Sequence, residues 1–159
     1  AEPLGIEFSE TLVELICEGL KTSLVQESRK RLARENGLLL PILRFRDNCN
    51  LEKNSYRILV YGETVFHGVV EPDDKHFYET VITDIEDYCR TNYAKVINKS
   101  IVKTMIDNLK NQYPGVADGM IPEQISYLKV EMKLKEILEA GESIKDLIHI
   151  IENLEADNC

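Results

Sequence analysis

Cysteine is sparse and scattered in this chain: Cys17, Cys49, Cys89 and Cys159, with no two close together. Zinc is usually held by ligands delivered in tight local pairs, so no zinc site is expected. A disulfide framework belongs to smaller secreted domains. The four are therefore read as reduced thiols in a cytosolic compartment. No apolar run approaches the roughly 20 residues that span a bilayer. Residues 1–5 lack the charged-then-apolar pattern of a signal peptide. The eight glycines fall singly at turns and helix ends, so no phosphate-cradling loop is present, and no GxSxG elbow occurs. Basic residues are also in deficit, 19 against 28 acidic, for a net charge of −9. Duplex affinity rests on lysine and arginine neutralising phosphates, so nucleic acid is excluded as a partner.

What is present is ordinary for a globular protein: 159 residues, 43% hydrophobic and 30% charged. A chain of this length buries a core without staples. The charge is uneven. Residues 1–71 hold 9 basic and 11 acidic side chains, net −2, and residues 72–159 hold 10 and 17, net −7.

Periodicity divides the chain at about the same place. Leu4, Ile6 and Phe8 alternate with Gly5 and Glu7, the period of a strand. Leu12–Ile16 is ambiguous between more strand and a turn of helix. Ser23 is a candidate N-cap for a charged surface helix from Leu24 to Asn36, closed by Gly37. After Pro41, Ile42, Arg44 and Arg46 share one face of a strand, with Leu43, Phe45 and Asp47 on the other. Tyr56–Val60 and Thr64–Val70 bracket Tyr61-Gly62-Glu63 and predict a hairpin. Pro72-Asp73-Asp74 ends the β-rich part. Helices are then expected from about Lys75 to Tyr93, from Asn98 or Ser100 to Tyr113, from Pro122 to Gly141, and after a capping box beginning at Ser143. The fold class expected is α+β. A small mixed α/β subdomain at 1–72, of three to four strands plus a helix, precedes an all-helical subdomain at 73–159.

Chemistry is thinly represented. His67 falls in the expected hairpin, His76 opens a helix, and His149 lies three residues after Asp146, with which it would form a hydrolytic pair. The acidic run Glu136, Glu139 and Glu142 is spaced for a solvated helix face. No metal and no cofactor is expected. Arg44 and Arg46 are the most informative charges, because two guanidiniums on one strand face need partners if buried. Asp47, Asp146 or a helix covering the sheet would supply them. Arg44, Arg46 and Asp47 are thus candidates either for docking a partner's carboxylate or for a structural ion pair. Seven tyrosines and four phenylalanines accompany no tryptophan. Tyr78, Tyr88, Tyr93, Tyr113 and Tyr127 fall in the helical half, as recognition surface or half-buried core edge.

LPILRFRDN (Leu40–Asn48) resembles the proline–basic–RDN segment of the FHIPEP family, the export-gate proteins of flagellar and type III secretion systems. Glu27–Gly37, ESRKRLARENG, is similar to the family's preceding helix, and Asn54–Gly68, NSYRILVYGETVFHG, to its hairpin. MIDNLKNQYP (Met105–Pro114) resembles the family's LLDNL…YP segment. Ile121-Pro122 falls where a Val-Pro pair is usual. LKEILEAGESIKDL (Leu134–Leu147) resembles LQNLLREGVSIRDL, and Ile150–Leu154 fits its end. The motifs occur in family order along most of the chain. Three departures stand out. A proline pair is replaced by Pro41-Ile42. The small subdomain that the family inserts between hairpin and helices has no room between Val70 and Thr80. The family's membrane helices and its further C-terminal domain are absent from this chain.

The resemblance implies a non-enzymatic protein at the cytoplasmic face of the bacterial inner membrane, itself soluble and joined to the membrane only through a segment absent from this chain. Its implied partners are export substrates, their chaperones and other components of the export apparatus, with a homo-oligomeric ring of typically nine subunits. The alternative is a soluble stand-alone adaptor that keeps the fold without a secretion role. A hydrolase built on His149 and Asp146 is the third reading.

Overall fold

The alternation of Leu4, Ile6 and Phe8 produces strand β1 (Leu4–Phe8), and all three side chains are buried. The computed structural model describes residues 2–71 and 73–159; Pro72, expected to end the β-rich part, lies outside the described residues. Helix α1 (Val13–Gly19) follows a short 3-10 turn, which settles the ambiguous stretch as helical: Leu12 and Ile16, four apart, are both buried. Helix α2 (Leu24–Asn36) ends at Gly37, whose φ of +65° is the left-handed conformation that closes helices. Next come β2 (Leu43–Asp47), β3 (Ser55–Val60) and β4 (Glu63–Val69). Tyr61 and Gly62 both take positive φ, as a two-residue hairpin turn requires.

Among the described residues these strands form one mixed sheet in the order β2-β1-β3-β4. β1 runs parallel to β2, joined through α1 and α2, and antiparallel to β3. The β3–β4 ladder shifts register between Ile58 and Leu59. Central β3 is buried along nearly its whole length, whereas edge strand β4 is largely exposed.

Four longer helices follow: α3 (Phe77–Asn92), α4 (Lys99–Gln112), α5 (Tyr127–Glu139) and α6 (Leu147–Asp157). The chain is α+β, as expected. Two compact units are distinguishable: Ala1–Arg31 with Leu40–Thr91, and Leu32–Leu39 with Asn92–Cys159. Their bounds run differently from a cut at 72, because α3 packs on the sheet. Its Tyr78 ring stacks on Phe45 of β2 at 5.9 Å, and Phe77 meets the Tyr56 ring of β3 edge-on at 5.4 Å.

In the second unit three caps start three helices. The Asn98 side chain accepts from the Ile101 amide at 2.8 Å, Ser126 from Lys129 at 3.0 Å, and Asp146 from His149 at 3.2 Å. The expected starts at Pro122 and Ser143 are therefore displaced. Residues 122–125 form turns after a cis Ile121-Pro122 bond, and Ser143 Oγ accepts from the Lys145 amide in the loop before α6. A short polar side chain nearer the helical run takes the cap in both cases.

Candidate functional site

Parallel pairing places Gly5 beside Arg44 and Glu7 beside Arg46, and antiparallel pairing places Glu7 opposite Arg57. The side-chain period of two then brings Glu7, Arg44, Arg46 and Arg57 to the sheet face opposite Ile6 and Phe45. Glu2, just before β1, completes the cluster. Its carboxylate accepts from Arg46 and lies 3.9 Å from the Arg44 Nε. Glu7 accepts from Arg57 Nε at 2.8 Å and from Asn48 Nδ2 at 2.9 Å. Asn48 is held in place because its own amide donates to the Phe8 carbonyl at 2.9 Å. Glu2, Glu7, Arg44, Arg46 and Arg57 line a concavity of about 160 Å³ together with Leu59 and Gly62.

Electrostatics follow from this wiring. A main-chain hydrogen bond within Glu2, aided by Arg46 and Arg44, holds its carboxyl below the ordinary value. For Glu7 the Asn48 hydrogen bond is the largest influence; with Arg57 it outweighs burial and lowers the pKa. Three guanidiniums face two carboxylates, so the face keeps a local excess of one positive charge in a chain of net −9. Such a face recognises carboxylates or orders a sheet; it offers no nucleophile.

The structure brings Arg44 and Arg46 together but supplies them with Glu2, not with the expected Asp47 or Asp146. Asp47 falls on the opposite strand face, at the exposed end of β2. Glu2, Glu7, Asn48 and Arg57 were not among the sequence candidates. Alternation alone puts Glu7 and Arg57 on one face of each strand, but the pairing of β1 with both β2 and β3 is what makes them neighbours.

A second ion cluster lies in the same unit. Glu86 of α3 is buried, and both its oxygens accept from Arg31 of α2, with Arg90 Nη2 at 2.9 Å one turn along. Burial alone would raise the Glu86 pKa; the Arg31 hydrogen bonds reverse the sign.

The remaining candidates separate. His67, His76 and His149 are all exposed. His149 Nε2 sits 3.4 Å from Asn153 Nδ2, while an Asp146 oxygen is engaged by the His149 amide, so the two side chains form no dyad. Among the described residues no three His, Cys, Asp or Glu side chains converge on a metal position. Among the described residues no helix is long and apolar enough to cross a membrane. Tyr78 and Tyr93 are core residues, Tyr88 and Tyr127 half-buried, and Tyr113 exposed. A cavity of about 400 Å³ lies within the second unit and is lined by Leu38, Met105, Leu109, Tyr113, Ile144 and Ile148 among others.

The chain matches the FHIPEP family over residues 1–80 and 74–158. It is 25% identical to the flagellar biosynthesis protein FlhA of Bacillus subtilis and 23% identical to FlhA of Proteus mirabilis. Each alignment covers 96% of this chain, which spans about 30% of the length of these relatives. The alignment with the first runs over 201 positions; 96% of 159 residues is about 153, so about 48 positions of the relative have no counterpart here. Among solved structures, the Chlamydia pneumoniae CdsV protein superposes with a TM-score of 0.74 at 18% identity, covering 99% of this chain and 60% of that one. A complex of CdsV with CdsO gives 0.73 at 18% identity, covering 98% and 59%. The nonameric SctV-C of EPEC gives 0.68 at 14% identity, covering 97% and 59%. These likenesses establish a shared fold.

Proposed function

Because this chain belongs to the FHIPEP family, we propose that it is a non-enzymatic cytosolic component of a type III secretion or flagellar export gate, docking export substrates and their chaperones. The observation that carries this reading is the family match in chain order through both compact units. Similar proteins include the flagellar biosynthesis protein FlhA and the EscV cytosolic domain from the type III secretion system. The nonameric state of SctV-C supports a homo-oligomeric ring for this chain, and the CdsV–CdsO complex supports partners within the export apparatus. The proposed place is the cytoplasmic face of the bacterial inner membrane, with attachment through a segment outside this chain.

Within this reading Arg44 and Arg46 hold the sheet through Glu2 rather than meet a partner. What supports that role is their place in a wired cluster, with Glu7, Asn48 and Arg57 next to them. Asp47 takes no part in it.

The test is calorimetric titration of the intact chain with export chaperones encoded in the same genome. Saturable binding that survives Arg44→Ala with Arg46→Ala supports both parts of the reading. No heat at about 100 µM sinks the docking role. A stand-alone adaptor is the second reading, favoured by the about 48 aligned positions that have no counterpart here. The family match is made in two pieces that meet at residues 74–80, the place where the inserted subdomain was expected to be missing. A gene encoding membrane helices in frame ahead of residue 1 would end it.

A further inference from the structure

Alternation along β1 puts Leu4, Ile6 and Phe8 on the core face and Gly5 and Glu7 on the other. Continued one step back, it would set Glu2 on the core face with Leu4. The chain instead bends at Pro3, and the Glu2 carboxylate lies on the arginine face. There it accepts from Arg46 and sits 3.9 Å from the Arg44 Nε. Proline suits this place, because its ring fixes φ and holds the preceding residue extended. The main chain is tied as well: the Pro3 carbonyl accepts from the Tyr61 amide at 3.4 Å, in the turn between β3 and β4. Residues 2 and 3 thus grip both neighbours of β1, one through a side chain and the other through the backbone. Glu7 is engaged by Arg57 and Asn48. Among the described residues, Glu2 is the carboxylate that pairs with both Arg44 and Arg46.

We propose that Glu2, Arg44 and Arg46 form a releasable strap. Closed, it pins the lead-in to β1 against the arginine face; open, it frees residues 2 and 3 while the sheet stays intact. The strap rests on the structural role given to the two arginines above and adds release to it. Two kinds of contact hold this end of the chain, and they respond differently to salt. The ion pairs are wet, with Arg44 and Arg46 side chains 60% exposed and that of Glu2 31%. Exposed pairs are screened once the Debye length shrinks from about 10 Å at 0.1 M to about 3 Å at 1 M. Leu4 and Ile6, next along the chain, are 0% exposed and held by apolar burial, which salt does not screen. Ionic strength therefore acts on the strap and spares the strand. The closed strap also sets a direction: the chain reaches β1 from over the arginine face, not in line with the strand.

Backbone 15N relaxation of the intact chain, at about 0.1 M and about 1 M NaCl, tests this. The order parameter of the Glu2 amide is expected near about 0.8 at low salt and below about 0.6 at high salt, with Leu4, Ile6 and Phe8 staying near about 0.85. Arg44→Ala with Arg46→Ala should give the low value already at low salt. Arg46→Lys, which loses the planar fork, should fall between. Asp47→Asn, on the opposite strand face, should change nothing. A mobile Glu2 in the unaltered chain at low salt overturns the proposal. So does a Glu2 that stays ordered both at high salt and in the double variant, or a loss of order that spreads through β1 as salt is added. The salt series needs no variant to fold. It is also independent of the calorimetric test: absence of chaperone binding leaves the strap standing, and absence of the strap leaves chaperone binding standing.

Discussion

Glu86 is the residue whose chemistry is most exactingly placed. The residue is 4% exposed, and its carboxylate is held by Arg31 from α2 and Arg90 from its own helix. Removing one partner of a buried pair leaves charge uncompensated, but here both arginines retain contact with water, which moderates the penalty. Glu86→Gln is expected to cost about 2 kcal/mol, read from urea unfolding. Glu7 makes the pH prediction. Its native pKa lies below the ordinary carboxylate value of 4.5, so the unfolded chain binds the proton more readily. The stability it contributes is fully present above about pH 4.5 and is lost as pH falls through the lowered native pKa. Glu7→Gln should therefore flatten the decline of stability below pH 4.5, measured by denaturant melts at stepped pH. Cysteine labelling gives a third check. Cys17, Cys49 and Cys159 are exposed, whereas burial pushes the Cys89 thiol up to about 12. A thiol reagent at neutral pH is expected to modify the first three in the native protein and Cys89 only after unfolding.

At the level of elements, the hairpin and the helix starts are the sensitive features. A Cβ on Gly68 would lie 2.6 Å from two ring carbons of Tyr56, whose hydroxyl donates to Asp84 at 2.8 Å. Gly68→Ala must push the ring away from Asp84, costing about 1–3 kcal/mol. Tyr56→Phe alone removes the hydrogen bond at about 1 kcal/mol, and in the Gly68→Ala background it should cost less, because the bond is already broken. A double-mutant cycle in urea that is strictly additive would count against this coupling. Asn98→Ala leaves the Ile101 amide without its cap and is expected to cost about 1 kcal/mol.

For the whole molecule, the decisive fact is that a family match covering both units coexists with an internal shortfall of about 48 aligned positions. The shared fold does not depend on the missing stretch: the sheet with α3 forms one compact unit and the later helices another. Native mass spectrometry checks the assembly of the intact chain: a nine-fold species supports the proposed ring.

Much of this was readable from residue order alone. Alternation at Leu4–Phe8 and Leu43–Asp47, the Tyr61-Gly62 turn, the helical spacing from Phe77 to Cys89 and the family motifs are local patterns, and local patterns survive in one dimension. The α+β class followed from them. Only the tertiary structure decided that α3 belongs with the sheet, that Glu2 and not Asp47 answers the arginines, and that Glu86 joins Arg31 across 55 residues of sequence. The physical reason is the same in each case. Periodicity tells which side chains share a face of one element, but register and packing decide which elements meet, and those depend on contacts between residues far apart in the chain.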